Sequence, residues 1–178
     1  ALALLRDPGI RVDVLVDERC AAFFALGIAK ASQQPVVLLA TSGTAIANWL
    51  PAVVEASQAS VPLILISADR PPSLQGLGAN QTIPQCGIFG GFVRATHELG
   101  VPDPDFNSAY LHALGARIVQ QACWPLPGPV HVNQAFHEPL LPIEPTKPST
   151  RIYAIRVSQP TMSPDPDAIR QLSEIISG

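Results

Sequence analysis

Residues 12–44, "VDVLVDERCAAFFALGIAKASQQPVVLLATSGT", decide the fold class of the chain. The apolar run 12–16 predicts a short strand. The stretch 18–32 predicts a helix whose first-turn acid and late lysine, Lys30, both suit the helix dipole. The continuous apolar run 35–40 predicts a second strand. A strand, a helix and a strand in succession are typical of a parallel pair joined by a crossover helix.

The same alternation continues through most of the chain. Apolar runs and periodic apolar positions predict strands at 61–68, 92–99 and 129–133, and helices at 45–57 and 107–122. Pro51 is expected either to kink the helix 45–57 or to mark its first turn. Because the strands are continuous apolar runs, helices are expected to cover both faces of the sheet. We therefore predict an α/β fold with a parallel, doubly wound sheet.

The composition narrows the range of partners. The chain has 178 residues, 47% of them hydrophobic, and a net charge of −3 without a Lys- or Arg-rich run. Such a chain is poorly suited to nucleic acid or an anionic membrane, and no apolar run is long enough for membrane insertion. The three cysteines lie far apart without a C-x-x-C pair, which favours reduced thiols in a cytoplasmic protein over a disulfide or zinc site.

Proline marks the predicted domain boundary. Seven prolines fall between residues 125 and 148, so residues 1–142 are predicted to form one domain, and residues 143–178 a stiff linker and the start of a second. The opening "ALALLRDPG" is typical of the tail of a helix, and the sequence closes within an amphipathic helix. We therefore expect a part of a longer chain, in which the first strand of the sheet lies upstream of residue 1.

Polar clusters follow three of the predicted strands. They are Asp17-Glu18-Arg19, Thr41-Ser42-Gly43-Thr44 and Asp69-Arg70. In parallel α/β sheets, ligands bind where loops leave the carboxyl ends of the strands. These clusters are therefore expected to converge on one ligand site.

Two of the clusters each admit two interpretations. Glu18 is either a first-turn acid that stabilises its helix, or a buried acid beside Phe23 and Phe24 whose raised pKa lets it exchange a proton with a ligand nitrogen. "TSGT", residues 41–44, is either a tight turn with a Thr N-cap or a loop whose backbone N–H groups cradle a phosphate. It is not a P-loop, because the lysine-bearing frame is missing.

The chain beyond residue 68 offers further polar side chains. Arg70 precedes two prolines and suits a carboxylate ligand, or else an ion pair with Asp69 or another loop acid. Asn80 and Gln81, in a loop that contains glycine, either orient a polar ligand or close the loop on itself. His131 lies within a strand and is predicted to be structural. The spacing indicates no metal site and no Ser-His-Asp or Cys-His set.

Five stretches together resemble one enzyme family. They are "DERCAAFFALGIAKAS", "TSGTAIANWLPAVVEA", "LILISADRPP", "GANQTI" and "GPVHVN". In this order and spacing they are similar to the 2-succinyl-5-enolpyruvyl-6-hydroxy-3-cyclohexene-1-carboxylate synthases of menaquinone or phylloquinone biosynthesis, the MenD family. The similarity covers the N-terminal, pyrimidine-binding domain of the family over roughly residues 1–142, and residues 143–178 would begin its middle domain.

This resemblance implies an enzyme. The family consists of transferases that need thiamine diphosphate and Mg²⁺ (or Mn²⁺), the metal being bound mainly by a C-terminal domain that this sequence does not contain. They decarboxylate 2-oxoglutarate and add the succinyl carbanion equivalent to isochorismate, in sites shared between subunits of a dimer or a dimer of dimers. The chain alone is therefore expected to be inactive. Two alternatives stay open: another thiamine-diphosphate 2-oxo-acid enzyme, such as a relative of acetolactate synthase, and a non-catalytic interaction module.

The resemblance also implies roles on the cofactor side. Glu18 falls where the family places the glutamate that contacts N1′ of the cofactor's aminopyrimidine ring. Thr41, Ser42 and Gly43 match a loop beside the cofactor. A carboxyl kept dry by apolar neighbours can hold the proton that this contact requires.

On the substrate side, the resemblance implies a second group of residues. Arg70 and Gln81 match positions that contact isochorismate, and Asn80 is adjacent. Isochorismate is a dicarboxylate, and an arginine can bind a carboxylate through two parallel hydrogen bonds. Arg70 is therefore expected to clamp the substrate.

Overall fold

The computed structural model describes residues 2–103, 107–141 and 155–177. Its helices are α1 (Leu2–Arg6), α2 (Glu18–Ser32), α3 (Thr44–Ala47), α4 (Leu50–Gln58), α5 (Ser108–Cys123) and α6 (Pro166–Ser177). Its strands are β1 (Val36–Ala40), β2 (Leu63–Asp69), β3 (Ala95–Glu98) and β4 (Pro129–Ala135).

These strands form one parallel sheet in the order β1-β2-β4-β3. In one row across the sheet, Leu38 pairs with Leu65, Leu65 pairs with His131, and His131 pairs with Thr96. Because every pairing is parallel, the carboxyl ends of the strands lie at the same edge, called the carboxyl edge below. The loops that follow the strands therefore leave the sheet side by side.

Side chains alternate along β2 and supply both cores of the fold. Leu63 and Leu65 face α2 and α4, whereas Ile64 faces α5 and packs with Val130 and Val132 of β4. Fully burying an aliphatic side chain of this size contributes about 1.5–3 kcal/mol. Helices on both faces of a parallel sheet confirm the predicted doubly wound α/β fold.

The helix α2 packs closely on the sheet because its inward stripe is mostly alanine. Ala22, Ala25, Leu26 and Ala29 recur at helical spacing and are all buried. The predicted helix 18–32 has the same bounds in the structure. Local sequence alone is therefore enough to define this element.

Most other predicted elements agree with the structure within two residues at each end. The predicted helix 45–57 is divided into α3 and α4, and Pro51 lies in the first turn of α4, where its missing N–H breaks no helical hydrogen bond. The predicted strand 92–99 is shorter, because residues Gly90–Phe92 form a 3₁₀ turn and only Ala95–Glu98 pair with β4.

The predicted strand at residues 12–16 is wrong. These residues have no regular structure, and the side chains of Val14 and Val16 are 82% and 99% exposed. A strand needs a neighbour that completes its hydrogen-bond ladder, and within the described residues no strand lies beside this segment. β1 is itself an edge strand, with Val37 and Leu39 exposed.

Arg94 joins two segments at the end of the sheet opposite the carboxyl edge. Its guanidinium donates to the carbonyl oxygens of Leu126 (3.2 Å) and Pro127 (2.8 Å) and to the carbonyl and hydroxyl oxygens of Ser57 (2.9 and 3.2 Å). Gly128 leaves room for it, because a Cβ at that position would overlap the guanidinium and displace it. One side chain thus joins the end of α4 to the loop before β4.

Replacing Arg94 with alanine is expected to destabilise the chain by about 2–4 kcal/mol, because several half-buried acceptors lose a charged donor at once. Urea unfolding measures the change. Arg11→Ala is the matched control, since Arg11 is largely exposed and its ion pair within the described residues is a surface contact with Asp13; its loss should cost at most about 1 kcal/mol. Equal effects of the two substitutions would contradict the role given to Arg94.

Candidate functional site

The carboxyl edge brings the predicted site loops together. β1 ends at Ala40 and leads into residues 41–43, and the neighbouring β2 ends at Asp69 and leads into Arg70. The C-terminus of α2 joins the start of β1, so the N-terminus of α2, with Glu18, lies toward the carboxyl edge. The predicted convergence of the three clusters on this edge follows from the topology.

The loop 41–43 is bonded directly to Gln81. Ser42 Oγ donates to the carbonyl oxygen of Gln81 (2.9 Å), and Gln81 Nε2 donates to Thr41 Oγ1 (3.3 Å) and the carbonyl oxygen of Ser42 (3.1 Å). Gly43 has φ 80°, and a Cβ there would lie 2.9 Å from Gln81 Cγ. The structure therefore joins a predicted cofactor loop to a predicted substrate residue.

The structure contradicts one prediction for "TSGT" and bears on part of the other. The N-cap of α3 is Gly43, and no threonine side chain caps the helix. The Gly43 N–H is also not free for a phosphate, because it donates to Gln85 Oε1 at 2.8 Å inside the protein. The Thr N-cap is therefore wrong, and a phosphate could take the Gly43 N–H only by displacing a buried glutamine from a distant loop.

Glu18 lies in the first turn of α2 and is half-buried. Among the described residues its carboxylate has no hydrogen-bond or ion-pair partner. The expectation of an acid buried beside Phe23 and Phe24 is wrong for this chain, since both residues are 45% exposed. They lie outside the buried stripe of α2, so their burial depends on what covers that helix.

Asp17 is the N-cap of α2. Its carboxylate accepts the N–H of Cys20 at 2.7 Å. That backbone hydrogen bond lowers the pKa of Asp17. The capping role therefore belongs to Asp17, which leaves Glu18 without a capping function.

Arg70 is half-buried and does not form the alternative ion pair with Asp69. Its backbone N–H, not its guanidinium, donates to Asp69 Oδ1 (2.7 Å), and in the described residues the guanidinium has no acidic partner. Gln75 Nε2 donates to the Arg70 carbonyl oxygen at 3.2 Å. Asn80 is exposed, and its carbonyl oxygen accepts from Thr82 Oγ1 at 3.2 Å. No acid of the described residues thus neutralises the guanidinium of Arg70.

Sequence reasoning missed a buried polar network below these loops. It consists of Ser67, Asp69, Gln85, His131 and Asn133, each at most 5% exposed. Ser67 stands directly opposite Asn133 in the sheet, and its hydroxyl bonds Asn133 Oδ1 (2.7 Å) and His131 Nε2 (2.8 Å). A serine and an asparagine inside two apolar runs do indicate a buried polar contact. Their pairing with each other, however, can be predicted only when the strand order is known.

His131 is a structural residue of this network, as predicted. Because the Ser67 hydroxyl proton is directed to Asn133 Oδ1, the His131 Nε2 carries a proton and donates to Ser67 Oγ. Nδ1 is then unprotonated, and it is buried without a hydrogen-bond partner in the described residues. Burial lowers the pKa of His131 to about 4, so the ring is neutral at pH 7.

Acid is expected to destabilise the chain between pH 6.5 and about 4. In the unfolded chain His131 protonates near 6.5, and in the folded chain at about 4, so in this window the unfolded state binds more protons. Stability is therefore full above this window and falls as the pH falls, by up to about 3 kcal/mol. Urea unfolding over this range measures the slope. His131→Gln, which keeps a donor for Ser67, should remove most of this dependence of stability on pH. An unchanged slope would contradict the role given to His131.

The described residues contain neither a metal-binding cluster nor a membrane-spanning helix. In the part of the chain that the structure describes, no three His, Cys, Asp or Glu side chains stand close enough to hold a metal ion. Within the same ranges, every helix is too short or too polar to cross a lipid bilayer.

Comparisons with known proteins identify the fold and its relatives. Residues 1–88 match a family described as "Thiamine pyrophosphate enzyme, N-terminal TPP binding domain". A 2-succinyl-5-enolpyruvyl-6-hydroxy-3-cyclohexene-1-carboxylate synthase of Dechloromonas aromatica (strain RCB) is 57% identical over the whole chain, which covers 33% of that protein. Proteins of the same name from Thermobifida fusca (strain YX) and Bacillus velezensis (strain DSM 23117 / BGSC 10A6 / LMG 26770 / FZB42) are 52% and 41% identical over 80% and 96% of the chain.

The chain spans about a third of the length of the curated relatives that it matches; the covered shares of the Thermobifida and Bacillus proteins are 26% and 30%. The identity extends over the whole chain, and the parallel sheet with helices on both faces is consistent with such a domain. On these findings the chain belongs to the thiamine pyrophosphate enzyme family, where it groups with the 2-succinyl-5-enolpyruvyl-6-hydroxy-3-cyclohexene-1-carboxylate synthases.

Proposed function

We propose that this chain supplies the pyrimidine-binding part of a thiamine-diphosphate-dependent synthase of quinone biosynthesis. The synthase decarboxylates 2-oxoglutarate and adds the resulting four-carbon unit to isochorismate, in a cytoplasmic homo-oligomer. The observation that carries the proposal is the 57% identity to a synthase of this name over all 178 residues. The position of Glu18 and Arg70 toward one edge of the sheet supports it.

The residues on the cofactor side fit the pyrimidine end of thiamine diphosphate. Glu18 offers a carboxyl without a protein partner among the described residues, and such a group can share a proton with a ring nitrogen. When bound, thiamine diphosphate supplies the carbanion stabilisation that decarboxylation of a 2-oxo acid requires. Glu18 would hold and orient that proton, and the loop Thr41, Ser42 and Gly43 would lie beside the ring. Mg²⁺ or Mn²⁺ would accompany the cofactor, although the described residues contain no group of His, Cys, Asp or Glu that could hold it.

The residues on the substrate side fit a dicarboxylate. The Arg70 guanidinium has no acidic partner in the described residues, and two prolines after it restrict the loop. It can therefore bind one carboxylate of isochorismate through two hydrogen bonds. The exposed Asn80 side chain would add a polar contact. Gln81 would contribute its Oε1 oxygen as an acceptor, because its Nε2 already bonds the loop 41–43.

The direct test uses a full-length synthase that carries this sequence, with thiamine diphosphate, Mg²⁺ and a panel of 2-oxo acids. We expect 2-oxoglutarate to be consumed and coupled to isochorismate, with no product when the cofactor is omitted. Preferential use of pyruvate would favour an acetolactate-synthase-like enzyme instead. Absence of any cofactor-dependent decarboxylation would favour a non-catalytic interaction module.

A further inference from the structure

Gln85 occupies a central position between the predicted cofactor and substrate loops. It is 1% exposed and lies just after the loop that carries Asn80 and Gln81. Its Oε1 accepts the Gly43 N–H at 2.8 Å, and its Nε2 donates to the Ala68 carbonyl oxygen at 2.9 Å. One amide therefore contacts the loop after β1 and the end of β2 at the same time.

The hydrogen bonds continue from Gln85 to Arg70. Gln85 Nε2 also donates to Asn133 Oδ1 (2.8 Å), and Asn133 Nδ2 donates to Asp69 Oδ2 (2.8 Å) and Glu98 Oε2 (2.8 Å). Asp69 Oδ1 in turn accepts the Arg70 N–H at 2.7 Å. An unbroken series of hydrogen bonds thus runs from the Gly43 backbone to the Arg70 backbone.

The chemistry of this series requires an amide at position 85. Gly43 presents a donor, whereas Ala68 and Asn133 present oxygen acceptors, so the side chain must accept on one side and donate twice on the other. An ionised glutamate of the same shape could accept but not donate, and a protonated one could donate only once. The interior members are buried, with Asn133 and Asp69 only 4% and 5% exposed, so water cannot replace a lost bond easily.

We propose that Gln85 is a positioning residue that fixes the cofactor loop at Gly43 and the substrate arginine, Arg70, relative to each other. It touches neither ligand and acts through these two backbone groups. The proposal rests on the proposed function for the identity of the two ligands, but the coupling between the loops is a property of this chain alone.

The first test measures amide hydrogen exchange by NMR in this chain and needs no ligand. In Gln85→Ala both the Gly43 and the Arg70 N–H should exchange at least roughly tenfold faster, although Asp69, the acceptor of Arg70, is unchanged. Faster exchange at Gly43 alone would overturn the coupling. Gln75→Ala is the matched control, because Gln75 bonds the Arg70 carbonyl oxygen outside the series and should leave Gly43 protected.

A second variant, Gln85→Glu, tests the proposal if Gln85→Ala does not fold. Gln85→Glu retains an oxygen for the Gly43 N–H but places an oxygen where Ala68 and Asn133 need a donor. In this variant the Gly43 N–H should therefore stay protected from exchange, and the Arg70 N–H should exchange faster. Protection of both amides in this variant would overturn the proposal.

The second test uses the full-length holoenzyme. Gln85→Ala should raise both the Kd for thiamine diphosphate and the KM for isochorismate, each by roughly 10–100-fold, because small displacements of positioning groups carry such costs. The KM for 2-oxoglutarate should change far less. An unchanged KM for isochorismate would overturn the proposal. A wild-type enzyme that converts neither substrate would instead refute the proposed function. The coupling measured by amide hydrogen exchange would still hold.

Discussion

Glu18→Gln in the full-length synthase is expected to lower turnover by roughly 10²–10⁴-fold, the range that a lost proton-transfer group usually costs. The substitution keeps the shape of the side chain but removes its ionisable proton. Glu18 has no hydrogen-bond or ion-pair partner among the described residues, so folding and thiamine diphosphate binding should largely persist. Steady-state kinetics measures the loss, and calorimetric titration with the cofactor measures binding.

The control for this substitution is its neighbour, Asp17. Asp17→Ala removes the N-cap of α2 and should lower the urea concentration at the midpoint of unfolding. It should leave most of the turnover intact, since capping and proton transfer are assigned to different carboxyls. Near-normal turnover of Glu18→Gln, or an equal loss in both variants, would contradict the role given to Glu18.

The main features of the fold could be predicted because they depend on local sequence. The apolar run at β1 and the alanine stripe of α2 each specify one element without reference to distant residues. The same logic placed polar groups at strand ends, because a parallel sheet brings those ends together. The meeting of the loops that begin at Thr41 and Arg70 was therefore accessible from the pattern of strands alone.

The remaining features depend on contacts between distant parts of the chain. Residues 12–16 have the composition of a strand, but a strand exists only with a neighbour, and the described sheet provides none beside them. The burial of Phe23 and Phe24 is likewise decided by what covers the outer side of α2. The role of Gln85 could not be predicted from the sequence, because its partner Gly43 lies 42 residues away. A single polar residue in a loop carries no local sign of such a contact.

Arg70→Ala is expected to raise the KM for isochorismate by roughly 10²-fold, which corresponds to about 3 kcal/mol for a bidentate, charge-assisted contact. Decarboxylation of 2-oxoglutarate should be largely retained, because Arg70 is assigned to the second substrate and not to the cofactor. Carbon dioxide release and product formation, measured in parallel, separate the two steps. Equal loss of both would contradict the assignment.

Arg70→Lys tests whether geometry or charge is responsible. Lysine keeps the positive charge but cannot form the two parallel hydrogen bonds of a guanidinium, so it should restore only part of the affinity for isochorismate. Arg117→Ala, at an exposed position on α5, controls for the loss of one positive charge and should leave both steps unchanged. Full rescue by lysine would mean that the site uses Arg70 as a simple charge. Partial rescue would mean that the planar fork, held in place through the Arg70 backbone N–H and Asp69, recognises the shape of the carboxylate.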